Sequence, residues 1–170
     1  QAEDGIRDAQ ESRGLGDVYK RQVFYSCEKD DFCTKNPVTP MLIIRFYDNM
    51  ERSNLKNAEL LSVWAEGKDT ISEYKSITKD SIAIPLNSTA LETIYHLKIN
   101  SFDGNLASNQ TETFTIQYTP EEKFVSRSCG FKVIFNDVTF TTNNNWIDDF
   151  TPFNLTSIEN QSAAHVKIYH

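Results

Sequence analysis

What most constrains this chain is a recurring pattern of short β-branched and aromatic runs, each closed by a turn cluster, with no sustained helical period between them. The run at 41–47 (MLIIRFY) lies between Pro40 and Asp48-Asn49, and its length suits a strand better than a helix. Comparable runs follow at 59–65, 81–86, 93–100, 113–118, 124–129, 131–135, 138–142 and 165–169. Between them stand Glu66-Gly67-Lys68-Asp69, Asn87-Ser88-Thr89, Asp103-Gly104-Asn105, Asn136-Asp137 and Asn143-Asn144-Asn145. In 112–118 (ETFTIQY), Phe114, Ile116 and Tyr118 share one face while Thr113, Thr115 and Gln117 share the other, so one face meets a core and one meets water. Val133 and Phe135 alternate with Lys132 and Ile134, and Val166 and Ile168 with Lys167 and Tyr169. Only 54–61 carries a helical hint, and 68–79 reads as an exposed polar connection.

Seven to nine such strands at roughly ten-residue spacing predict an all-β protein, an antiparallel β-sandwich of immunoglobulin or transthyretin type, with a small β-barrel as the alternative. The 170-residue length suits one domain, and 12% aromatic content supplies enough buriable side chains for a core. No apolar run approaches the ~20 residues of a membrane-spanning helix. With 17 Lys and Arg against 24 Asp and Glu, the chain carries a formal charge of −7, which removes the basic footprint that nucleic-acid backbones require. Six Gly, three Cys and three His are little material for a phosphate-cradling loop or a metal cage, and no GxSxG, GxGxxG or HExxH string occurs. No cofactor is implied.

The N-terminus reads differently from the rest. Gln1 to Asp8 (QAEDGIRD) back-translates to a string resembling a flow-cell sequencing adapter, and Glu11 to Gln22 (ESRGLGDVYKRQ) resembles a transposase-end adapter, in the order such libraries place them. Residues 1–22 are therefore read as a non-native tail and set aside. Without them 13 basic face 19 acidic residues, a net of −6, so the acidic balance survives.

The next residues, Val23-Phe24-Tyr25-Ser26-Cys27, have the form of the end of a lipoprotein signal peptide, an apolar stretch and a small residue before a Cys whose thiol takes a diacylglycerol. Several acyl chains on one residue make a lasting anchor where a single chain holds marginally. Cys27 is the lipidation candidate. The Glu28-Lys29-Asp30-Asp31 that follows resembles the surface-export signal of Bacteroidetes lipoproteins.

Past this start, the chain resembles a small Bacteroidetes family of lipoproteins classed as a domain of unknown function. The resemblance is carried by CEKDDFC at 27–33, TPMLIIRFYD at 39–48, DSIAIPL at 80–86, FVSRSCGFKVIFNDV at 124–138 and AHVKIYH at 164–170. It implies a lipid-anchored envelope protein with a β-rich body, and it brings no activity or binding residue.

Cys33 and Cys129 remain once Cys27 is acylated. An even pair in an exported domain suggests a disulfide closing a loop of about 95 residues; the alternative is two separate thiols. His96, His165 and His170 have no metal-ligand spacing, and His96 is expected on the polar face of a strand. Asp148 and Asp149 beside Trp146 invite a carbohydrate or Ca²⁺ reading, but adjacent acids on one loop do not encode a cleft with carboxylates on two sides, and a Ca²⁺ loop pattern is missing. Asn87, Asn109, Asn154 and Asn160 fit the N-glycosylation pattern, though Asp69-Thr70-Ile71 and Asp80-Ser81-Ile82 better resemble Bacteroidetes O-glycan sites, making Thr70 and Ser81 the candidates.

The expected organisation is a tail at 1–22, a signal-peptide remnant at 23–26, a lipidated tether at 27–38 and one β-sandwich at 39–170. The expected function is a non-enzymatic binding or assembly module, anchored in the outer membrane and facing the periplasm or, preferentially, the cell surface. Its partners would be the membrane, through the anchor, and an envelope protein or glycan. A hydrolase or carbohydrate-active accessory domain using acids such as Asp148 or Glu121 is the alternative.

Overall fold

The computed structural model describes Cys33, residues 38–101 and residues 109–170, and their secondary structure is almost wholly strand. Among the described residues, ten strands form two sheets. The first contains β4 (Ser81–Ile84), β1 (Leu42–Tyr47), β10 (Val166–Tyr169) and β8 (Asp149–Thr151), in that spatial order. The second runs β3 (Ile77–Lys79), β2 (Ala58–Ala65), β5 (Glu92–Ile99), β6 (Gln110–Ser126), β7 (Gly130–Thr142) and β9 (Asn154–Ile158). Neither sheet closes on itself, so the architecture is a sandwich and not a barrel.

Alternation explains which face of each strand is buried. Phe114, Ile116 and Tyr118 point inward from β6, Tyr95 and Leu97 from β5, and Leu42, Ile44 and Phe46 meet them from β1. Two tyrosines also bridge to the segment after β4: Tyr118 Oη donates to the Asn87 carbonyl at 2.8 Å, and Tyr95 Oη donates to the Pro85 carbonyl. Burial pushes the Tyr95 hydroxyl up to about 12, so it stays a donor throughout the physiological range.

Four features depart from the sequence reading. First, the sandwich is not purely antiparallel, because β1 pairs parallel with β10 (Ile44 with Val166, Phe46 with Ile168). Val166 and Ile168 are fully buried, in a strand with neighbours on both sides. Second, the hint of helix at 54–61 is overturned: Ala58 and Leu61 face the core from β2, and Leu60 takes φ 45° where the pairing with β3 shifts register. Tertiary burial overrides a weak local period there.

Third, the run at 113–118 and the first three residues of 124–129 belong to one strand, with 127–129 forming the hairpin turn, and the runs at 131–135 and 138–142 share the next strand. Asn136-Asp137 is a bulge in β7 and not a turn: Gln117 pairs with Thr139 and Thr119 with Asn136, leaving one extra residue on β7, and Asp137 sits at φ 50°. Asp tolerates the left-handed region, so the residue type that signals a turn serves a bulge equally well. Fourth, β3, β8 and β9 are too short or too polar to have stood out. Within the polar connection at 68–79, Tyr74 is buried at the end of a 3-10 turn (Ser72–Tyr74).

Candidate functional site

The outer face of the six-stranded sheet is the broadest regular surface on the body. Residues opposite the core there are Ser62 and Trp64 on β2, Ile94, His96 and Lys98 on β5, Thr111, Thr113 and Thr115 on β6, and Thr139 and Thr141 on β7, as the cross-strand pairs Trp64–His96, His96–Thr113 and Thr115–Thr141 require. Short hydroxyl side chains make this face flat and polar. Its one large aromatic is Trp64, half-buried, with one ring face stacked on His96 at 5.2 Å and 28° between planes.

His96 is held in turn by Glu66, which bonds Nε2, and at longer reach by Thr113, whose hydroxyl lies 3.4 Å from Nδ1. The imidazole thus lies on the polar face of its strand, as a support under Trp64. A groove of about 320 Å³ opens beside this pair, lined by Ser62, Trp64, Lys68, Asp69, Thr70, Lys98 and Ser101. An aromatic face flanked by ammonium, carboxylate and hydroxyl groups can hold a flat polyhydroxylated ligand by its apolar face and its rim together. Thr70 is exposed within the groove and bridges to Trp64 across the backbone. Ser81, by contrast, is half-buried in β4 opposite Arg45.

The acids singled out in the sequence are not brought together. Asp148 accepts a hydrogen bond from Asn49 Nδ2 at 3.0 Å, and Asp149 pairs with Arg52 at 2.7 Å, while Arg52 also lies over the Tyr169 ring at 4.5 Å. Both acids thereby stitch the 48–56 loop to β8 and β10. Beside them, the N–H groups of Glu51 and Met50 hold the Asp48 carboxyl below the usual carboxylate range, helped by Lys56. Glu121 is on the other sheet, accepting from Asn136 Nδ2 at 2.6 Å. Among the described residues no group of three or more His, Cys, Asp or Glu side chains is placed to hold a metal ion.

His165 and His170 take structural positions. His165 Nδ1 accepts the Ile43 N–H at 2.9 Å, and its Nε2 donates to the Asn160 carbonyl at 2.8 Å, which fixes the neutral tautomer. Desolvation lowers the affinity of that ring for a proton. The His170 ring packs edge-on against Phe46 and Trp146, and its affinity for a proton is lowered by burial first and by nearby Lys56 second.

Cys33 and Cys129 are joined, with Cα atoms 4.8 Å apart and a separation of 96 positions in sequence. Cys27 and Glu28-Lys29-Asp30-Asp31 lie outside the described residues. No helix among the described residues is long and apolar enough to cross a membrane.

Three groups escaped the sequence reading. In the sequence Trp64 stands out only as part of a strand run, although its place on the face opposite Val63 marks it. Glu112 is fully buried and accepts the N–H groups of Asn145 at 2.7 Å and Trp146 at 3.0 Å as well as the Thr142 hydroxyl. It shares the parity of Phe114 and Ile116, so alternation alone would have sent it inward. Phe124 and Phe131 look like ordinary strand residues in the sequence and are both exposed.

Comparison with known proteins adds a family and no activity. The profile of a family of unknown function (DUF6452) matches residues 60–170, which spans β2 to β10 apart from the first two residues of β2. No curated protein and no solved structure matches the chain.

Proposed function

We propose, from the premise that the chain belongs to this family of unknown function and takes no activity from it, that it is an anchored, non-enzymatic binding module of the bacterial cell envelope. Acyl chains on Cys27 would hold it in the outer membrane, on the cell-surface side given the acidic string that follows. Its ligand would be an envelope glycan, or a glycosylated envelope protein, taken at the groove beside Trp64. The observation that carries this reading is Trp64 stacked on His96 within a groove lined by Lys68, Asp69, Thr70 and Lys98. The acids that a hydrolase would need across a cleft are instead engaged separately, Asp149 with Arg52 and Glu121 with Asn136.

Two measurements test the reading. Titrating the protein with purified outer-membrane polysaccharide and with peptidoglycan fragments, by calorimetry, should give binding to at least one, weakened tenfold or more by Trp64→Ala. Equal affinity of variant and wild type, or no binding to either, removes the groove as the site. With a native signal peptide restored, Cys27→Ser should move the protein from the membrane fraction to the soluble one. A variant that still sediments with membranes is held by something other than acyl chains.

A further inference from the structure

Beyond the groove, one more surface lacks a structural explanation: the tip of the β6–β7 hairpin. Past Phe135 the two strands continue as an arm, pairing Lys123 with Lys132 and Phe124 with Phe131. The two phenylalanine rings pack on each other at 5.3 Å, yet they remain 58% and 62% exposed. Val38, 51% exposed, precedes Thr39, whose hydroxyl accepts the Val133 N–H at 3.3 Å on the arm. A solvent-facing aromatic pair at the end of an arm is costly unless something covers it.

Charge indicates what that is. The tip of the arm, residues 123–132, contains Lys123, Arg127 and Lys132 and no acid, in a chain whose net charge is −7, while Glu121 and Glu122 stand at the arm's base. Lys123 donates to the Glu159 carboxylate and Lys132 to the Glu159 backbone carbonyl, each at 2.6 Å, so that one carboxylate offsets one of the three charges. Exposed Arg127 stands in the turn between the strands. Exposed Phe beside Arg and Lys matches a bilayer interface, apolar below and anionic at the headgroups.

Position completes the argument. The disulfide to Cys33 sits at Cys129, within the same turn. Cys27 is six residues before Cys33, and six residues span at most about 22 Å. An acyl group on Cys27 would therefore keep Cys129, whose Cα lies 4.8 Å beyond that of Cys33, within about 27 Å of the membrane. The other large exposed apolar side chains, such as Met50, Leu91 and Phe153, have no such tie to the anchor.

We propose that the hairpin tip is a membrane-contacting surface, with Phe124 and Phe131 entering the interface of the anionic bilayer that holds the anchor and Arg127 meeting its phosphates. The proposal rests on the anchored-lipoprotein reading above. It assigns the body an orientation: the arm points at the lipid, and the outer face of the six-stranded sheet stands roughly parallel to the membrane normal, open to ligands.

The test uses the acylated full chain carrying Phe131→Trp, on phosphatidylglycerol and phosphatidylethanolamine vesicles with brominated or ordinary acyl chains. Emission from the introduced indole, after subtracting that of the parent protein, should fall at least twofold on the brominated vesicles. Arg127→Glu should reduce that quenching, and more so on vesicles richer in phosphatidylglycerol. Protein that sediments with the vesicles but shows no quenching overturns the proposal while leaving the anchor intact. Protein that does not sediment refutes the anchor, and the tip is then judged by the same quenching with unacylated full chain at high lipid concentration, where its absence overturns the proposal. A dimer in sedimentation velocity that is abolished by Phe124→Ser with Phe131→Ser, without lipid quenching, assigns the patch to a second copy of the chain and also overturns it.

Discussion

Strands β6 and β7 behave oppositely at their two ends. Where the four-stranded sheet lies opposite, Phe114, Ile116, Phe135 and Phe140 are buried; a few residues further along the same ladder, Phe124 and Phe131 are exposed. Both halves are paired in the same antiparallel ladder, and Phe124 and Phe131 keep the side of it that Phe114 and Phe135 occupy. The difference is the second sheet. An apolar residue on a strand joins a core only when another layer covers it, so burial is a property of the pair of sheets and not of the hairpin.

The most severe way to break this comparison is to remove the cover. Deleting residues 164–170 takes out β10, which joins β1 to β8, and with it buried Val166 and Ile168. The expected outcome is loss of soluble expression or of a cooperative melt by circular dichroism, whereas deleting residues 1–22 should change neither.

Single side chains then separate the halves. Phe114→Ala should cost about 3–5 kcal/mol in urea unfolding, as large cavities in cores do. Phe131→Ala, exposed at the arm, should stay within about 0.5 kcal/mol. Similar losses from both would mean that the arm is covered in solution by something intramolecular.

Reducing the Cys33–Cys129 bond should lower stability by up to ~4 kcal/mol in the chain-entropy account of a long closed loop. Hydrogen exchange would sharpen the contrast: faster exchange in the arm on reduction, and unchanged protection in the buried half of β6. Equal loosening of both would show that the disulfide supports the core directly.

Glu112→Gln replaces a buried acceptor of two or more backbone N–H groups by a group that also carries donors, and should cost about 1–3 kcal/mol at the body end of the hairpin. A neutral result in thermal melts would mean that the 143–147 loop re-forms its bonds elsewhere.

The smallest expected effect is on pH. His165 and His170 both bind protons more weakly when folded than the ordinary 6.5, so their contribution is fully present above about that value and is lost as pH falls below it. His165→Gln should flatten part of that slope. An unchanged slope would remove His165 from the account.

Legibility in the sequence follows the same division between strand and cover. Alternation in 112–118 and the β-branched run at 41–47 announce their strands, and two of the core faces with them, because the period is local. What stays hidden is decided between elements. Asn136-Asp137 looks like a turn until β6 is found to run straight past it, and the exposure of Phe124 depends on how far the other sheet extends. The Cys pair could be proposed from parity and compartment, yet only the fold brings Cys33 to the hairpin tip. Glu112 shows the limit from the other side: its inward parity was visible, but a buried carboxylate becomes credible only once the amides of Asn145 and Trp146 are found facing it. For the groove, Trp64 and His96 stand 32 positions apart, and cross-strand register alone makes them neighbours.

The parallel seam between β1 and β10 has a consequence for how the molecule comes into being. Ile43 and His165 exchange hydrogen bonds across 122 positions, which places this contact among the most non-local that a domain of this size can make, and such contacts slow folding. A strand near the beginning must keep one hydrogen-bonding edge vacant until nearly all the remaining chain has emerged. During synthesis, that bare edge of β1 is the place where mispairing with another nascent copy would start. An assisting chaperone would have most to gain by covering it.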